Sequence, residues 1–392
     1  MGSLTTTTNR LLIIDDETSM GTLIARVATQ CGFETIHAAN AQLGLELMAS
    51  WKPTLLILDL QMPSTDGIEV LRHLASARCD ARIILASGHG SQVLNTAQRL
   101  GRERGLTIET TLLKPFDVPD LRALLQRLKS DDGWLTENVL EAAIAEGQLV
   151  LHYQPKIEIR TNAVVGFEAL VRWMHPERGL VAPDEFIGFA ESAGKMDKLT
   201  EWVINAALAQ LAEWSHHGLS VAVNVSVANL RNLEFADHLD LLCKIHGIAA
   251  RRLCIEITET DAMSDEISAM DILARLRLKG YPVSIDDFGT GHSSLIRLLR
   301  MPISEIKIDQ SFVRESHASQ ENFVIVRAIV DLAHNLGMTA IAEGVENEKI
   351  LGVLAAIGCD AAQGFHISRP LPAEDVIPWH KGWIEGLAPV EA

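Results

Sequence analysis

Two adjacent carboxylates, Asp286 and Asp287, follow a short apolar run at residues 283–285 and precede a glycine-rich turn. Neighbouring side chains on a strand point to opposite faces, so both can reach one site only where the strand ends and the chain turns. Paired carboxylates at such a point are suited to binding a hard divalent cation. The same residues could instead cap a helix or set the geometry of the turn. Other polar residues that the fold brings to the same place decide between these interpretations.

Seven successive apolar runs in the C-terminal part of the chain each carry polar residues at or near their ends. These residues are Glu168, Asn224, Glu256, Asp286 with Asp287, Lys307, Glu343 and Gln363. A charge within a strand is costly to bury unless a cation or partner compensates it, so convergence on a shared metal site explains the set. Five carboxylates and the amide of Asn224, without His or Cys at matching positions, favour Mg²⁺ or Mn²⁺ over Zn²⁺, and so many acids favour two ions. Two such ions suit hydrolysis of a phosphodiester, and Lys307 adds a positive charge.

A second polar set lies nearer the N-terminus, again at the ends of apolar runs. It comprises Asp15, Asp16, Asp59, Ser87 and Lys114. The three carboxylates can hold one Mg²⁺, Asp59 can attack a phosphoryl group, and Lys114 can neutralise the phosphoryl oxygens. Ser87 could bond the transferred group. Each residue alone could be an ordinary strand-end cap, but phosphoryl transfer explains the complete set better.

Two different α/β folds are needed to position these residues. Residues 9–129 alternate strand and helix patterns five times, which predicts a doubly wound (βα)5 parallel sheet. Residues 130–136 break the helical pattern and are predicted to be a linker. Residues 137–385 contain eight strand-like runs with helical patterns between them, which predicts a (β/α)8 barrel. In both folds, functional groups collect at the carboxyl ends of the strands.

The composition limits the classes of function. The 392 residues have a formal net charge of −17 without a cluster of Lys or Arg, so we expect no DNA partner. No stretch approaches the roughly 18 apolar residues of a membrane span, so a cytoplasmic protein without a membrane partner is expected. A phosphate-containing ligand remains compatible with this charge, because bound divalent cations reverse the sign of an acidic pocket.

Residues 9–129 resemble the receiver domain of bacterial response regulators, which has a flavodoxin-like fold. The resemblance rests on Asp15-Asp16, on Asp59 within Leu-Asp-Leu-Gln-Met-Pro-x-x-Asp-Gly, on Ser87 and on Lys114-Pro115-Phe116. It implies that Asp59 is the phosphoacceptor, that Asp15 and Asp16 are metal acids, and that Lys114 and Ser87 contact the phosphoryl group. A cognate sensor histidine kinase or phosphotransfer protein is the implied partner.

Residues 137–385 resemble the EAL family of cyclic di-GMP phosphodiesterases, a modified TIM-type barrel with its first strand antiparallel. The motifs that carry the resemblance are Tyr153-Gln154-Pro155, Glu168-Ala169-Leu170, Asn224-Val-Ser226, Glu256-Ile-Thr-Glu259, Asp286-Asp287-Phe-Gly-Thr-Gly, Lys307-Ile-Asp309, Glu343-Gly-Val-Glu346 and Gln363-Gly364-Phe365. The resemblance implies opening of cyclic di-GMP to linear pGpG with two Mg²⁺ or Mn²⁺ ions.

The resemblance also implies a role for each residue. Glu168, Asn224, Glu256 and Asp286 would hold one metal, and Asp286 would bridge to a second ion held by Asp287 and Glu343. Glu343 would be the general base, and Lys307 would polarise the attacking water. The implied substrate contacts are Gln154, Leu170, Arg172 and Gln363. Glu259 would tether the loop after Asp287.

Two positions depart from the family patterns. Thr111 stands where receivers usually carry an aromatic residue, three residues before the lysine. His292 stands where the EAL family usually has Tyr, after the second glycine of the loop. Both positions bear on how a signal is transmitted rather than on the metal acids.

The leading hypothesis is a two-component response regulator in which phosphorylation of Asp59 controls hydrolysis of cyclic di-GMP. One alternative is a catalytically silent cyclic di-GMP receptor, and another is an interaction module of the two-component type. The complete set of metal acids favours the enzyme, and a pure interaction module would have no use for Lys307 and Glu343. Both domain types commonly self-associate, so a homodimer or higher homo-oligomer is expected.

Overall fold

The protein divides into two compact units, Met1–Trp134 and Leu135–Ala392. The computed structural model describes residues 9–63, 66–88, 91–114, 116–129, 134–226, 228–259, 266–290 and 298–386. Within these ranges, no helix combines the length and the apolar character that crossing a membrane requires.

The N-terminal unit is a five-stranded parallel sheet with helices between its strands. The strands are β1 (Arg10–Ile14), β2 (Glu34–Ala38), β3 (Leu55–Asp59), β4 (Arg82–Ser87) and β5 (Ile108–Leu113), in the order β2-β1-β3-β4-β5. The helices are α1 (Thr18–Gln30), α2 (Ala41–Trp51), α3 (Gly67–Ser76), α4 (Ser91–Glu103) and α5 (Val118–Lys129). The sheet therefore has the predicted doubly wound order.

The apolar character of these strands follows from burial on both faces of the sheet. In β1, Leu12 and Ile14 belong to one core cluster, whereas Leu11 and Ile13 belong to the cluster on the opposite face. A parallel sheet covered by helices on both sides requires such continuous apolar runs. Polar residues are therefore displaced to the strand ends, where they can meet.

The C-terminal unit is a barrel with helices on its outside. Its strands are β6 (Leu149–Glu158), β7 (Val164–His175), β8 (Gly179–Val181), β9 (Val221–Asn224), β10 (Leu253–Thr258), β11 (Val283–Phe288), β12 (Glu305–Ile308), β13 (Thr339–Ala342), β14 (Ala361–Gln363) and β15 (Leu371–Pro372). Its described helices are α6 (Glu137–Ala145), α7 (Pro183–Ser192), α8 (Met196–Glu213), α9 (Phe235–His246), α10 (Glu266–Leu278), α11 (Gln310–Val313), α12 (Gln320–Asn335), α13 (Glu348–Ala356) and α14 (Ala373–Ile384). Short 3₁₀ turns lie at Ser215–His217, Asn229–Arg231 and Ala250–Arg252.

Strand β6 closes the barrel in the opposite direction to the other barrel strands. It pairs antiparallel with β14 on one side and with β7 on the other, while β7 and β9 to β14 run parallel to one another. The described strands β8 and β15 extend the sheet outside this closed ring. The predicted fold class, with an antiparallel first strand, is therefore confirmed.

Several strands are longer than their apolar runs indicate. The sequence predicts that β5 covers only residues 112–113, that β6 ends at Gln154 and that β11 ends at Ile285, whereas these strands run over Ile108–Leu113, to Glu158 and to Phe288. The added stretches include polar or charged residues, and these stay in the ladder because the neighbouring strands supply backbone partners.

Candidate active site

The register of the barrel strands brings the predicted polar residues to one level. Glu256 of β10 lies beside Asn224 of β9, and Gln154 of β6 lies opposite Glu168 of β7. In the next parallel pair, Asp286 of β11 lies beside Thr258 of β10. Since the barrel strands other than β6 point the same way, their carboxyl ends form one face, and the acids converge there.

Lys307 lies at the centre of four of these acids and is completely buried. Its Nζ atom is 2.7 Å from Glu343 Oε1, 3.0 Å from Asp286 Oδ1, 3.0 Å from Glu256 Oε2 and 3.2 Å from Glu168 Oε2. These partners lie on four different strands or strand ends. The lysine is thus the positive charge around which the site is assembled.

The electrostatics of the site reflect crowded acids in a buried place. Burial raises the pKa of Glu256, Asp286, Asp287 and Glu343 above the usual carboxyl values, and neighbouring acids raise it further. Burial lowers the pKa of Lys307, but the four carboxylates outweigh it and raise the pKa well above its usual value. More negative charge converges here than one lysine compensates, which is the condition under which a divalent cation binds.

The carboxylate oxygens form two overlapping groups of the kind that hold metal ions. One group is Glu168, Glu256 and Asp286, and the other is Asp286, Asp287 and Glu343, each with ligand atoms within 4.8 Å of one another. Asn224 lies against the first group, donating from Nδ2 to Glu168 Oε1 at 3.0 Å. The metal-donor atoms that these side chains offer are all oxygens, the carboxylate oxygens and the amide Oδ1 of Asn224, so the residues fit Mg²⁺ or Mn²⁺.

A local distortion of β11 lets both adjacent aspartates serve this site. The register with β12 shifts between Ile285 and Phe288, and Asp287 has a φ of 55°, which is rare for a residue with a side chain. The doublet therefore lies within an irregular strand and not beyond its end, where the sequence predicts it. The strained backbone turns the second carboxylate toward the first. Strain of this kind is typical of functional sites, where the surrounding structure holds a residue in an unfavourable conformation.

The loop after this doublet is held by Glu259, a buried residue at the end of β10. Its Oε2 accepts a hydrogen bond from the backbone N–H of Gly289 at 2.9 Å. Gly289 has a φ of 104° and its Cα faces Phe312, so a side chain at this position would be both strained and obstructed. His292 lies outside the described residues.

Gln154 and Gln363 contact each other and the first acid group. Gln363 Nε2 donates to Glu168 Oε2 at 2.7 Å and to Gln154 Oε1 at 3.0 Å, and Gln154 Nε2 donates to the carbonyl of Ser368. Both amides are buried. In this arrangement they orient Glu168 from the side of β6 and β14.

A cavity of about 420 Å³ opens next to the acids. Leu170, Asn224, Asp286 and Asp287 line it on the side of the barrel, and Pro183, Ile187 and Met196 belong to the apolar wall. Arg172 is half-buried two residues after Leu170 on β7, and burial lowers its pKa while Glu168 and Asp184 oppose that effect. Apolar walls beside a carboxylate cluster suit a ligand that has both a flat ring and an anionic group.

Two charged residues at this site are given no role in the sequence analysis. Lys156 Nζ lies 3.0 Å from Glu256 Oε1, and Asp309 lies beside Asp287, where it helps burial to raise the pKa of Asp287. Lys156 is missed because the sequence predicts that β6 ends at Gln154. A single charge between apolar residues 155 and 157 is the signal that could have revealed it.

The N-terminal unit assembles its own acidic group at the carboxyl ends of β1 and β3. Asp15, Asp16 and Asp59 have ligand atoms within 4.8 Å of one another, and these oxygen donors fit one Mg²⁺. Lys114 Nζ lies 2.6 Å from Asp59 Oδ2 and 2.7 Å from Asp15 Oδ2. Burial raises the pKa of Asp15 although hydrogen bonds and charge from Lys114 oppose it. Ser87 is buried at the end of β4, and its carbonyl accepts from the backbone N–H of Lys114.

Comparisons with known families agree with this geometry. The family model of the EAL domain matches residues 137–370. The chain belongs to the EAL domain family. The response regulator receiver domain model matches residues 11–126, so an N-terminal receiver domain precedes the EAL domain.

Two curated relatives come from Pseudomonas aeruginosa. MucR, named a bifunctional diguanylate cyclase/cyclic di-GMP phosphodiesterase, is 39% identical over 241 residues, which are 61% of this chain and 35% of MucR. NbdA, named a cyclic di-GMP phosphodiesterase, is 41% identical over 239 residues, which are 60% of this chain and 30% of NbdA. The chain thus spans about a third of the length of these relatives.

Solved structures share the fold of the EAL domain. A structure described as the PaMucR phosphodiesterase in complex with c-di-GMP has a TM-score of 0.59 and 39% identity, covering 61% of this chain and 98% of that chain. The EAL enzyme Bd1971, described as bound to cAMP and cyclic-di-GMP, has a TM-score of 0.59 and 31% identity, covering 68% of this chain and 77% of that chain.

Proposed function

We propose that the EAL domain hydrolyses cyclic di-GMP to linear pGpG and that phosphorylation of Asp59 in the receiver domain controls this reaction. The observation that carries the proposal is the pair of carboxylate groups that share Asp286. The names of MucR and NbdA, and the c-di-GMP complex of the PaMucR phosphodiesterase, support the choice of substrate.

The two groups of acids support an assignment of metal ligands. Glu168, Asn224, Glu256 and Asp286 would hold one Mg²⁺ or Mn²⁺ ion, and Asp286, Asp287 and Glu343 a second. When bound, such ions stabilise charge on the phosphate oxygens and lower the pKa of a water molecule.

The protein's own groups orient the reactants and move the proton. Glu343 is the general base, because its half-buried carboxylate belongs to the second group, beside Asp286 and Asp287, and lies 2.7 Å from Lys307 Nζ. Lys307 holds the acids in place and stabilises negative charge in the transition state. Leu170, which lines the cavity, packs on the substrate, and Arg172, two residues later on β7, contacts its phosphate. Gln154 and Gln363 complete the substrate site, and Glu259 holds the following loop.

Turnover of cyclic di-GMP is the test of this proposal. The full chain incubated with cyclic di-GMP and Mg²⁺ or Mn²⁺ should yield pGpG by liquid chromatography, and Glu168→Ala should lower the rate by about 10³-fold or more. Glu201→Ala removes an exposed acid of α8 and should leave the rate unchanged. A wild-type protein that binds cyclic di-GMP without releasing pGpG would be the silent receptor of the alternative hypothesis.

Control by the receiver domain predicts a response that depends on Asp59. A small phosphoryl donor such as acetyl phosphate should change the hydrolysis rate by roughly fivefold, a coupling of about 1 kcal/mol. Asp59→Asn should abolish the change, because it removes the carboxylate that attacks the phosphoryl group. Asp66→Asn is the matched control, because Asn can still cap α3 at Glu69 N. Equal responses of wild type and Asp59→Asn would refute control through this residue.

A further inference from the structure

A second buried lysine lies at the floor of the EAL site. Lys156 of β6 pairs with Gly166 of β7. Gly166 comes two residues before Glu168, so the backbone of Lys156 lies one layer of side chains deeper in the barrel than the acids. Its side chain crosses the barrel interior to β10, where Nζ lies 3.0 Å from Glu256 Oε1. Lys156 is 5% exposed and Glu256 is completely inaccessible to solvent.

The two oxygens of Glu256 are divided between two lysines. Oε1 faces Lys156 from below, and Oε2 faces Lys307 at 3.0 Å from the side of the acids. Oε1 is therefore engaged by Lys156, whereas Oε2 shares Lys307 with Glu168 and Asp286, the other acids of its group. The contact with Lys156 leaves Oε2 as the oxygen of Glu256 that faces the shared site.

We propose that Lys156 restricts Glu256 to one cation-facing oxygen and thereby makes the site select Mg²⁺ over Ca²⁺. This inference deepens the metal binding on which the proposed function rests. Ca²⁺ takes six to eight oxygen ligands and often uses both oxygens of a carboxylate, whereas Mg²⁺ requires six ligands in near-octahedral geometry. A carboxylate that offers one oxygen satisfies Mg²⁺ and denies Ca²⁺ a ligand. Lys156 is thus a positioning residue that acts through Glu256.

The groups around Lys156 indicate that its amino group is what restricts Glu256. The other charged or titratable groups that interact with it are Cys254, Glu305, Lys307 and Glu168, and Cys254 lies two residues before Glu256 on the same strand. Cys254 donates through Sγ to Glu305 Oε2, so Glu305 has a partner of its own. Removing the amino group should release Oε1 of Glu256 to rotate toward the site.

The ratio of the Ca²⁺ and Mg²⁺ dissociation constants measures this selectivity directly. We would determine both constants by calorimetry on the full chain without substrate, in an Asp16→Asn and Asp59→Asn background that weakens the receiver site. Lys156→Met should lower the ratio of the Ca²⁺ constant to the Mg²⁺ constant by about tenfold, equivalent to about 1.4 kcal/mol. Lys156→Gln should lower the ratio as well, because the glutamine side chain is one bond shorter than that of lysine and its amide does not reach Glu256. This variant replaces Lys156→Met in the measurement if the Met variant does not fold. Cys254→Ala, which alters packing beside Lys156, should leave the ratio unchanged.

The ratio of the two dissociation constants separates an effect on the coordination of the ion from an effect of the net charge of the site. Loss of a lysine leaves the site more negative and tightens both ions, so equal tightening with an unchanged ratio would overturn the inference. Loss of binding of both ions would also overturn it, since Lys156 would then hold the whole site together. A wild-type protein that shows the selectivity without hydrolysing cyclic di-GMP would sink the proposed function and leave this inference standing.

Discussion

Lys307→Met is expected to abolish hydrolysis of cyclic di-GMP and to destabilise the ion-free EAL domain. The substitution leaves the buried Glu168 and Glu256 and the half-buried Asp286 and Glu343 without the charge they share. Breaking a buried ion pair by removing one partner costs about 3–5 kcal/mol, and four acids depend on this lysine. Thermal unfolding followed by circular dichroism in a chelator should therefore show a melting temperature lower by about 10 °C.

Ions and protons should each recover part of that stability. Mg²⁺ supplies the missing positive charge, so its addition should raise the melting temperature of the variant more than that of wild type. The acids whose pKa is raised in the folded protein bind protons more tightly there than in the unfolded chain. Ion-free stability therefore falls as pH rises through those raised pKa values, and lowering the pH from about 8 to about 5 should stabilise the variant.

Lys244→Met provides the matched control for this substitution. Lys244 is an exposed lysine of α9, paired with Asp240 one turn earlier. Exposed ion pairs contribute little to the free energy of unfolding, so the melting temperature and the activity should stay at wild-type values. A Lys307→Met protein with wild-type turnover would show that the lysine is dispensable for the reaction.

Glu343→Gln is expected to lower kcat by about 10²–10⁴-fold while cyclic di-GMP still binds. Glutamine has the same shape and its amide oxygen can still accept from Lys307, so the site keeps its packing. It cannot take a proton from the attacking water. Rates of pGpG formation and the dissociation constant of cyclic di-GMP, measured on the same preparation, separate the two effects.

Glu346→Gln tests whether the effect is specific to position 343. Glu346 lies three residues later, is exposed and pairs with Arg314 at 2.8 Å, so the variant should keep both turnover and binding. If Glu343→Gln loses binding together with turnover, Glu343 positions the ligand or the ions and is not the base.

Much of the site can be derived from the sequence because of a simple solvation rule. A carboxylate within an otherwise apolar strand, such as Glu256 between Ile255 and Ile257, must meet a compensating charge. Parallel strands place their carboxyl ends at one face, so seven such strands predict one polar site even before the distances are known. The same reasoning predicts the receiver site from Asp15, Asp59 and Lys114, and in the structure each of the two carboxylates lies within 2.7 Å of Lys114 Nζ.

The sequence could not reveal where the polar residues prolong a strand. The apolar run of β6 stops before Lys156, yet β14 pairs with it as far as Glu158 and β7 as far as Ile157. Strand length in a barrel is set by neighbouring strands that are distant in sequence. A local pattern therefore underestimates β6 and overlooks a lysine whose partner lies 100 residues away.

By itself, the sequence determined the two folds and the set of acids, because burial of apolar runs and desolvation of charge act residue by residue. The tertiary structure alone decided how those acids share their partners. Closure of the barrel surrounds Lys307 with four carboxylates, and the positive φ of Asp287 within an irregular strand turns two adjacent side chains to one site. Both arrangements depend on contacts between strands that are far apart in the chain. Those contacts stabilise a strained backbone and several neighbouring like charges, which a short segment alone could not maintain.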